Sequence, residues 1–221
     1  CMSTLKALTT LGAKVEITQK KTAFFDVEIQ PIKEPSKQQV TVECGNSGTT
    51  ARLLCGLIAG WPGAIVKLQG DESLSQRPMD RVVKPLRLWG ANIEYLKDQG
   101  KLPIIIKGKE LDCEPPQHLK VASAQVKSAL ILAARNSPKD INITLPRGSR
   151  DHTENMLKFF GANLKVATTK TSETIFIQGP INYKIVPPIR VPADPSSMAF
   201  WAVLASFIPS LRFVFKNVLN N

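Results

Sequence analysis

Three times along the chain a charged, amphipathic helix pattern closes on Gly-Ala and runs directly into a strand. The first copy spans 3–11, ends at Gly12-Ala13 and continues as Lys14-Val15-Glu16-Ile17. The second is Pro85-Leu86-Arg87-Leu88-Trp89-Gly90-Ala91-Asn92-Ile93-Glu94, and the third is Met156-Leu157-Lys158-Phe159-Phe160-Gly161-Ala162-Asn163-Leu164-Lys165. Leu5, Leu8 and Leu11 share one helix face in the first copy, and a glycine past the last apolar position is a helix stop. Each copy leads to a second strand pattern, at 25–29, 104–107 and 175–178.

A second element recurs in register with the first: a polar cap followed by a nearly all-apolar helix, at 47–59, 123–134 and 196–205. Helices apolar on every side must be buried, whereas the charged Gly-Ala helices should line a surface. Strand patterns at 65–68, 141–145 and 212–215 lie between the two helix types. The unit repeats at roughly 75 residues, so the chain is read as an α+β fold of similar units packed around buried helices. The first residue is Cys1, the chain opens without the buried helix that should precede its first surface helix, and it stops at Asn221 after a buried helix and strand. This register predicts a piece of a longer protein. The boundary is placed in 184–192, where Pro187, Pro188 and Pro192 resist both helix and sheet. Residues 1–186 then form a first lobe lacking its opening segment, and 187–221 a linker and the start of a second lobe.

With 43% hydrophobic and 21% charged residues the chain can bury a real core, and a net charge of +11 suits an acidic partner. Nucleic acid fits poorly, since aromatics are only 6% and no basic run exceeds a pair. The four cysteines form no CxxC pair and have no histidine at ligand spacing, so neither metal nor redox cofactor is expected. No membrane span or signal-peptide layout is visible, and a soluble, cytoplasmic protein is expected.

Several polar loops feed helix starts. In Glu43-Cys44-Gly45-Asn46-Ser47-Gly48-Thr49-Thr50-Ala51-Arg52, glycines allow close backbone approach, and Asn46 or Ser47 can cap the helix that follows. The loop Gly70–Met79 ends with Pro78 suited to a first helical position and Arg77 at the helix entrance, where a guanidinium can fork onto a phosphate or pair with Asp71 or Glu72. Ser123 is an N-cap for the second buried helix, and Gln125 in its first turn needs a partner that a ligand could supply. Lys127 either points the same way or is solvated. Ser149-Arg150-Asp151-His152-Thr153-Glu154 is not a catalytic triad, because triad side chains converge from separate elements. Asp151 and Glu154 have capping-box spacing, which leaves Ser149 and Arg150 just outside a helix N-terminus. His118 and His152 are given no catalytic role. Each mouth taken alone could be a plain cap; together they suggest a small ligand carrying phosphate and carboxylate groups.

The stretches Gly45-Asn46-Ser47-Gly48-Thr49-Thr50-x-Arg52, Gly70-Asp71-Glu72-Ser73-Leu74-x-x-Arg77-Pro78-Met79, Ser123-Ala124-Gln125-Val126-Lys127-Ser128-Ala129, Ser149-Arg150-Asp151-His152-Thr153-Glu154 and Asp194-Pro195-Ser196-Ser197 resemble 5-enolpyruvylshikimate-3-phosphate synthase, in that family's order. The resemblance implies lobes of three βαβαββ units, an inside-out α/β barrel with buried helices. It implies transfer of the enolpyruvyl group of phosphoenolpyruvate to the 5-hydroxyl of shikimate 3-phosphate, releasing phosphate in the shikimate pathway to aromatic amino acids. It implies a cytoplasmic, monomeric glyphosate target that binds neither nucleic acid nor membrane. By the resemblance Asn46, Gly48, Arg77 and Gln125 bind phosphoenolpyruvate, while Ser123, Ala124, Gln125, Ser149 and Arg150 bind shikimate 3-phosphate.

The family's Lys-Ser-x-x-x-Arg stretch would precede Cys1, and its acid and base groups would lie in the second lobe. No catalytic acid or base is therefore assigned, and the chain alone is expected to be inactive. Ala193 departs from the family's frequent glycine there. A related transferase acting on a UDP-sugar and a basic nucleic-acid-binding module are the rival readings; the Gly-Asp-Glu-Ser-Leu and Arg-Pro-Met motifs argue against the first.

Overall fold

The computed structural model describes residues 2–21, 24–36, 38–184, 191–208, 210 and 212–219. Most of the proline-rich stretch on which the lobe boundary was placed, 185–190, lies outside the described residues. The chain divides into two compact units, 1–183 and 184–221.

In the first unit, helix α1 (Met2–Thr10) leads into the antiparallel pair β1 (Lys14–Lys21) and β2 (Phe24–Gln30). There follow β3 (Val40–Glu43), α2 (Gly48–Ala59), β4 (Ile65–Gln69), the one-turn α3 (Glu72–Ser75), α4 (Asp80–Leu88), β5 (Asn92–Tyr95) and β6 (Ile104–Lys107). The same sentence then recurs as β7 (Gln117–His118), α5 (Ala124–Ala133), β8 (Ile141–Pro146), α6 (His152–Phe159), β9 (Leu164–Thr168) and β10 (Ser172–Ile177). The two four-stranded sheets have orders β3-β4-β6-β5 and β7-β8-β10-β9. In both, the first two strands are parallel and the remaining pairs antiparallel. Two complete βαβαββ units therefore stand side by side in the chain, and α1–β1–β2 has the form of the tail of another.

The Gly-Ala signature has a common cause. Gly12, Gly90 and Gly161 take φ of 108°, 82° and 89°, the left-handed stop that glycine reaches without steric cost. The apolar helices α2 and α5 are buried as their composition requires, and they touch backbone to backbone. A β-carbon on Gly56 would lie 2.0 Å from the Ala129 carbonyl oxygen, and one on Gly60 would lie 1.8 Å from that of Ala133. Arg52 meets Gln125 in the same series. The constant offset of these pairs means that the two helices run parallel, with their N-termini together. Around them the core includes Leu54, Ile58, Leu86, Trp89, Ile104, Ile106, Leu130 and Ile143, each no more than 5% exposed.

Strands β3 and β7 precede the buried helices and were not anticipated; with four and two residues they carry little periodicity. Three expectations need correction. Pro78 does not open a helix: α3 forms within the loop, capped by Asp71, and α4 begins at Asp80. In the second unit α7 (Pro195–Phe207) is capped by Asp194 as its sequence asks, yet it buries no residue. Phe200 is 80% exposed and Phe207 79%. An apolar helix is covered only when neighbouring elements supply a surface, and in its own unit the described partners amount to irregular chain, with Trp201 edge-on to Phe213 at 5.4 Å. No strand forms at 212–215; among the described residues there the pairing is the isolated bridge Ala193–Val218.

Candidate functional site

Helix α2 opens with Ser47, whose hydroxyl accepts the Thr50 backbone N–H at 3.1 Å, so Ser47 and not Asn46 is the cap. Asn46 is thereby available to join two other groups. Its amide oxygen accepts from Arg77 at 2.9 Å, and its nitrogen donates to Asp71 at 3.0 Å. The Leu74 N–H, followed by the Asn46 amide, holds the Asp71 carboxyl below its ordinary range. Arg77 therefore reaches Asp71 through Asn46.

Gly48, in the first turn of α2, leaves room for two guanidinium groups. A β-carbon there would lie 3.4 Å from an Nη1 of both Arg52 and Arg77. Arg52 stands one turn along the same helix face, four residues on. Its Nη1 donates to Gln125 Oε1 at 2.5 Å and its Nη2 to the Pro78 carbonyl at 3.2 Å. Desolvation, then the nearby charges of Arg81 and Arg77, lower the pKa of Arg52. Gln125 Nε2 donates to Thr49 Oγ1 at 2.8 Å. The amide that seemed to need a ligand thus has two protein partners, both from the first turns of α2. Among the described residues no carboxylate lies within ion-pair distance of Arg52, Arg77 or Arg81. Three guanidiniums gather beside two parallel helix N-termini, each of which carries partial positive charge.

At the second mouth Ser123 caps α5, accepting from the Val126 N–H at 3.5 Å, with Ala124 as the first helical residue. Ser149 and Arg150 lie on the turn before α6, where Gly148 has φ 97° and the Ser149 hydroxyl donates to the Arg150 carbonyl at 3.3 Å. The anticipated capping box is absent: Asp151 makes no side-chain cap bond, and Glu154 turns inward. Its carboxylate meets Lys127 Nζ at 2.5 Å, so Lys127 is neither solvated nor part of the mouth. Ser128 and Thr153 share a hydroxyl hydrogen bond of 2.6 Å beside that pair.

Asn46, Gly48, Arg77 and Gln125 thus converge at one place. Ser123 and Ala124 sit at the adjoining helix start, and Ser149 and Arg150 on a turn linked to it through α5 and α6. Arg52, Thr49 and Arg81 were not named as site residues. The four-residue spacing of Gly48 and Arg52 was the available signal for the first of them. Among the described residues no group of His, Cys, Asp and Glu is arranged to hold a metal ion, and no helix is long and apolar enough to cross a membrane.

The family model for EPSP synthase (3-phosphoshikimate 1-carboxyvinyltransferase) matches residues 1–221. The chain belongs to the EPSP synthase family. Relatives named 3-phosphoshikimate 1-carboxyvinyltransferase include those of Nitratiruptor sp. and Chloroflexus aurantiacus, each 41% identical over 100% of this chain and 49% of the relative. That of Campylobacter curvus is 42% identical over the same shares. Among solved structures, EPSP synthase from Acinetobacter baumannii superimposes with a TM-score of 0.70 at 34% identity, covering 92% of this chain and 44% of that one. The fold is therefore the α+β fold of EPSP synthases. The chain spans about half the length of the curated relatives it matches.

Proposed function

We propose that this chain is the substrate-holding half of an EPSP synthase, a transferase moving the enolpyruvyl group of phosphoenolpyruvate to the 5-hydroxyl of shikimate 3-phosphate. In the overall balance the phosphate ester C–O bond breaks, a C–O bond to the 5-oxygen forms, and the hydroxyl proton leaves with phosphate. The observation that supports this best is the set of three guanidiniums at two adjoining helix N-termini, none of them within ion-pair distance of a carboxylate among the described residues, a setting that favours a multiply charged anion. Asn46, Gly48 and Arg77 hold phosphoenolpyruvate, and Gln125 lies between the two substrates. Ser123, Ala124, Ser149 and Arg150 hold shikimate 3-phosphate, the last two at its phosphate. None of these residues is assigned as acid or base. Residues 1–186 belong to a first lobe and 187–221 to a linker and the start of a second, in a cytoplasmic, monomeric enzyme of aromatic amino acid biosynthesis that is a glyphosate target.

Calorimetric titration of the full-length protein with shikimate 3-phosphate, then phosphoenolpyruvate, tests the assignment, with phosphate release as the activity readout. Binding of UDP-N-acetylglucosamine in place of shikimate 3-phosphate would overturn it. Because the chain spans about half of its relatives, the 221 residues alone are expected to give no turnover; steady phosphate release from them would refute that expectation.

A further inference from the structure

Lys127, Glu154 and Glu173 form a buried ionic cluster that the proposed reaction does not use. The Lys127 side chain is 0% exposed, and its Nζ lies 2.5 Å from Glu154 Oε1 and 3.4 Å from Glu173 Oε1. The Glu154 side chain is 3% exposed, and its second oxygen is buried without a hydrogen-bond partner. Burying a lysine with two carboxyls is costly, and well-packed apolar residues usually serve stability as well or better.

The molecule contains its own apolar control. Lys127 is the fourth residue after the N-cap Ser123; the fourth after Ser47 is Ala51, 0% exposed. Glu154 is the third residue after Asp151; the third after Met79 is Val82, 0% exposed. The first βαβαββ unit thus closes the same two positions without charge. The fold does not require the cluster, so its placement needs another explanation.

That explanation lies in what the cluster joins. Lys127 is two residues beyond Gln125 on α5. Glu154 is in the first turn of α6, four residues after Arg150. Glu173 on β10 is paired in the sheet with Leu145 of β8, from whose end the 147–151 turn departs. The Arg147 N–H also bonds the Thr171 carbonyl at 3.1 Å, and Thr153 bonds Ser128. Within the turn a β-carbon on Gly148 would meet nothing within 4 Å, and Arg150 is exposed. The elements at both ends of the turn are tied to one ammonium group.

We infer that Lys127 is a positioning residue that, through Glu154 and Glu173, fixes the Ser149–Arg150 turn against the α5 mouth and so sets the fit for the phosphate of shikimate 3-phosphate. This rests on the substrate assignment above. A buried ammonium in contact with two carboxylates holds the elements that carry them at a set spacing, and a displacement of the turn by a fraction of an ångström changes two contacts to one substrate and none to the other.

The test uses the full-length protein carrying Lys127→Met/Glu154→Met, which removes the charged pair at similar volume. The variant leaves Glu173, 15% exposed, without its cation, so a modest fall in melting temperature is expected, with KM for shikimate 3-phosphate raised about tenfold and KM for phosphoenolpyruvate within about twofold. Unchanged shikimate 3-phosphate affinity in the folded variant, or equal loss for both substrates, would overturn the inference. If the double variant does not fold, Glu173→Gln serves: its side chain is 15% exposed, and a rise of about threefold, for shikimate 3-phosphate alone, is expected. No rise there also overturns it. Unmodified protein that fails to bind shikimate 3-phosphate at all would instead sink the substrate assignment and take this inference with it.

Discussion

The two complete βαβαββ units share strand order, helix burial and helix caps, and they spend charge in opposite ways. In the first, the core positions behind the mouth are apolar, and Arg52, Arg77 and Arg81 gather in front of it. In the second, the α5 mouth shows a hydroxyl, an alanine and an amide, and the charge is drawn inside as Lys127 with Glu154 and Glu173. One topology thus carries a cluster of guanidiniums at one helix mouth and a buried ionic cluster behind the other. The difference teaches that helix N-termini alone do not specify a ligand here; the residues one turn behind and one loop ahead do.

The largest effects should come from the seam where the units interlock. It is asymmetric, with glycines on α2 facing alanine carbonyls on α5. Gly60→Ala places its methyl 1.8 Å from backbone that cannot swing away, and a loss of at least about 3 kcal/mol is expected, at the upper end of overpacking costs. The partner change Ala133→Gly should cost only about 1 kcal/mol, the helix-propensity difference. Urea midpoints of the two variants check this, and similar losses would mean that the parallel helix pair is not in backbone contact.

Next in size are substitutions that separate the mouths by substrate. Arg77→Ala should weaken phosphoenolpyruvate use by about 1.5–3 kcal/mol, the worth of a charged hydrogen bond, with little change in melting temperature, since Arg77 is exposed. Arg150→Ala should act instead on shikimate 3-phosphate, with a loss in the same range of about 1.5–3 kcal/mol. Separate KM values for the two substrates decide it. A loss for both substrates from either variant would erase the division of labour between the units.

What could be read from sequence and what could not follows from the range of each interaction. The Gly-Ala stops and the caps Ser47 and Ser123 are set within four residues, and the buried helices announce themselves by composition. Arg52–Gln125 joins residues 73 apart, and Lys127–Glu173 residues 46 apart, so neither leaves a local trace. The spacing of Asp151 and Glu154 was misleading for the same reason: a distant lysine outbids the local backbone N–H for the carboxylate. The apolar run of 196–205 was judged by what it needs to cover it, and its own unit does not supply that cover.

The smallest effect per group concerns thiols and asks whether the two βαβαββ units open separately. Cys44 and Cys55 lie in the first βαβαββ unit and are fully buried, Cys113 follows it, and the second βαβαββ unit, 117–177, has no cysteine. Desolvation pushes the Cys55 thiol from an ordinary 9.0 up to about 12, and Cys44 likewise. Below pH 9 these thiols are protonated whether the chain is folded or unfolded, and their contribution is intact. Above it the unfolded chain loses protons first, so stability falls as pH rises from 9 toward 12, by about 1.4 kcal/mol per buried thiol at pH 10. Urea midpoints at pH 8 and pH 10 should show this loss, reduced by one thiol's share in Cys55→Ala. Thiol labelling of Cys55 then reports opening of the first unit, and amide exchange of Ile143 and Ile175 reports that of the second. Because Gly56 and Gly60 lock α2 onto α5, the two opening free energies should coincide. A first unit that opens at lower cost than the second would mean that the seam joins two independently folding repeats.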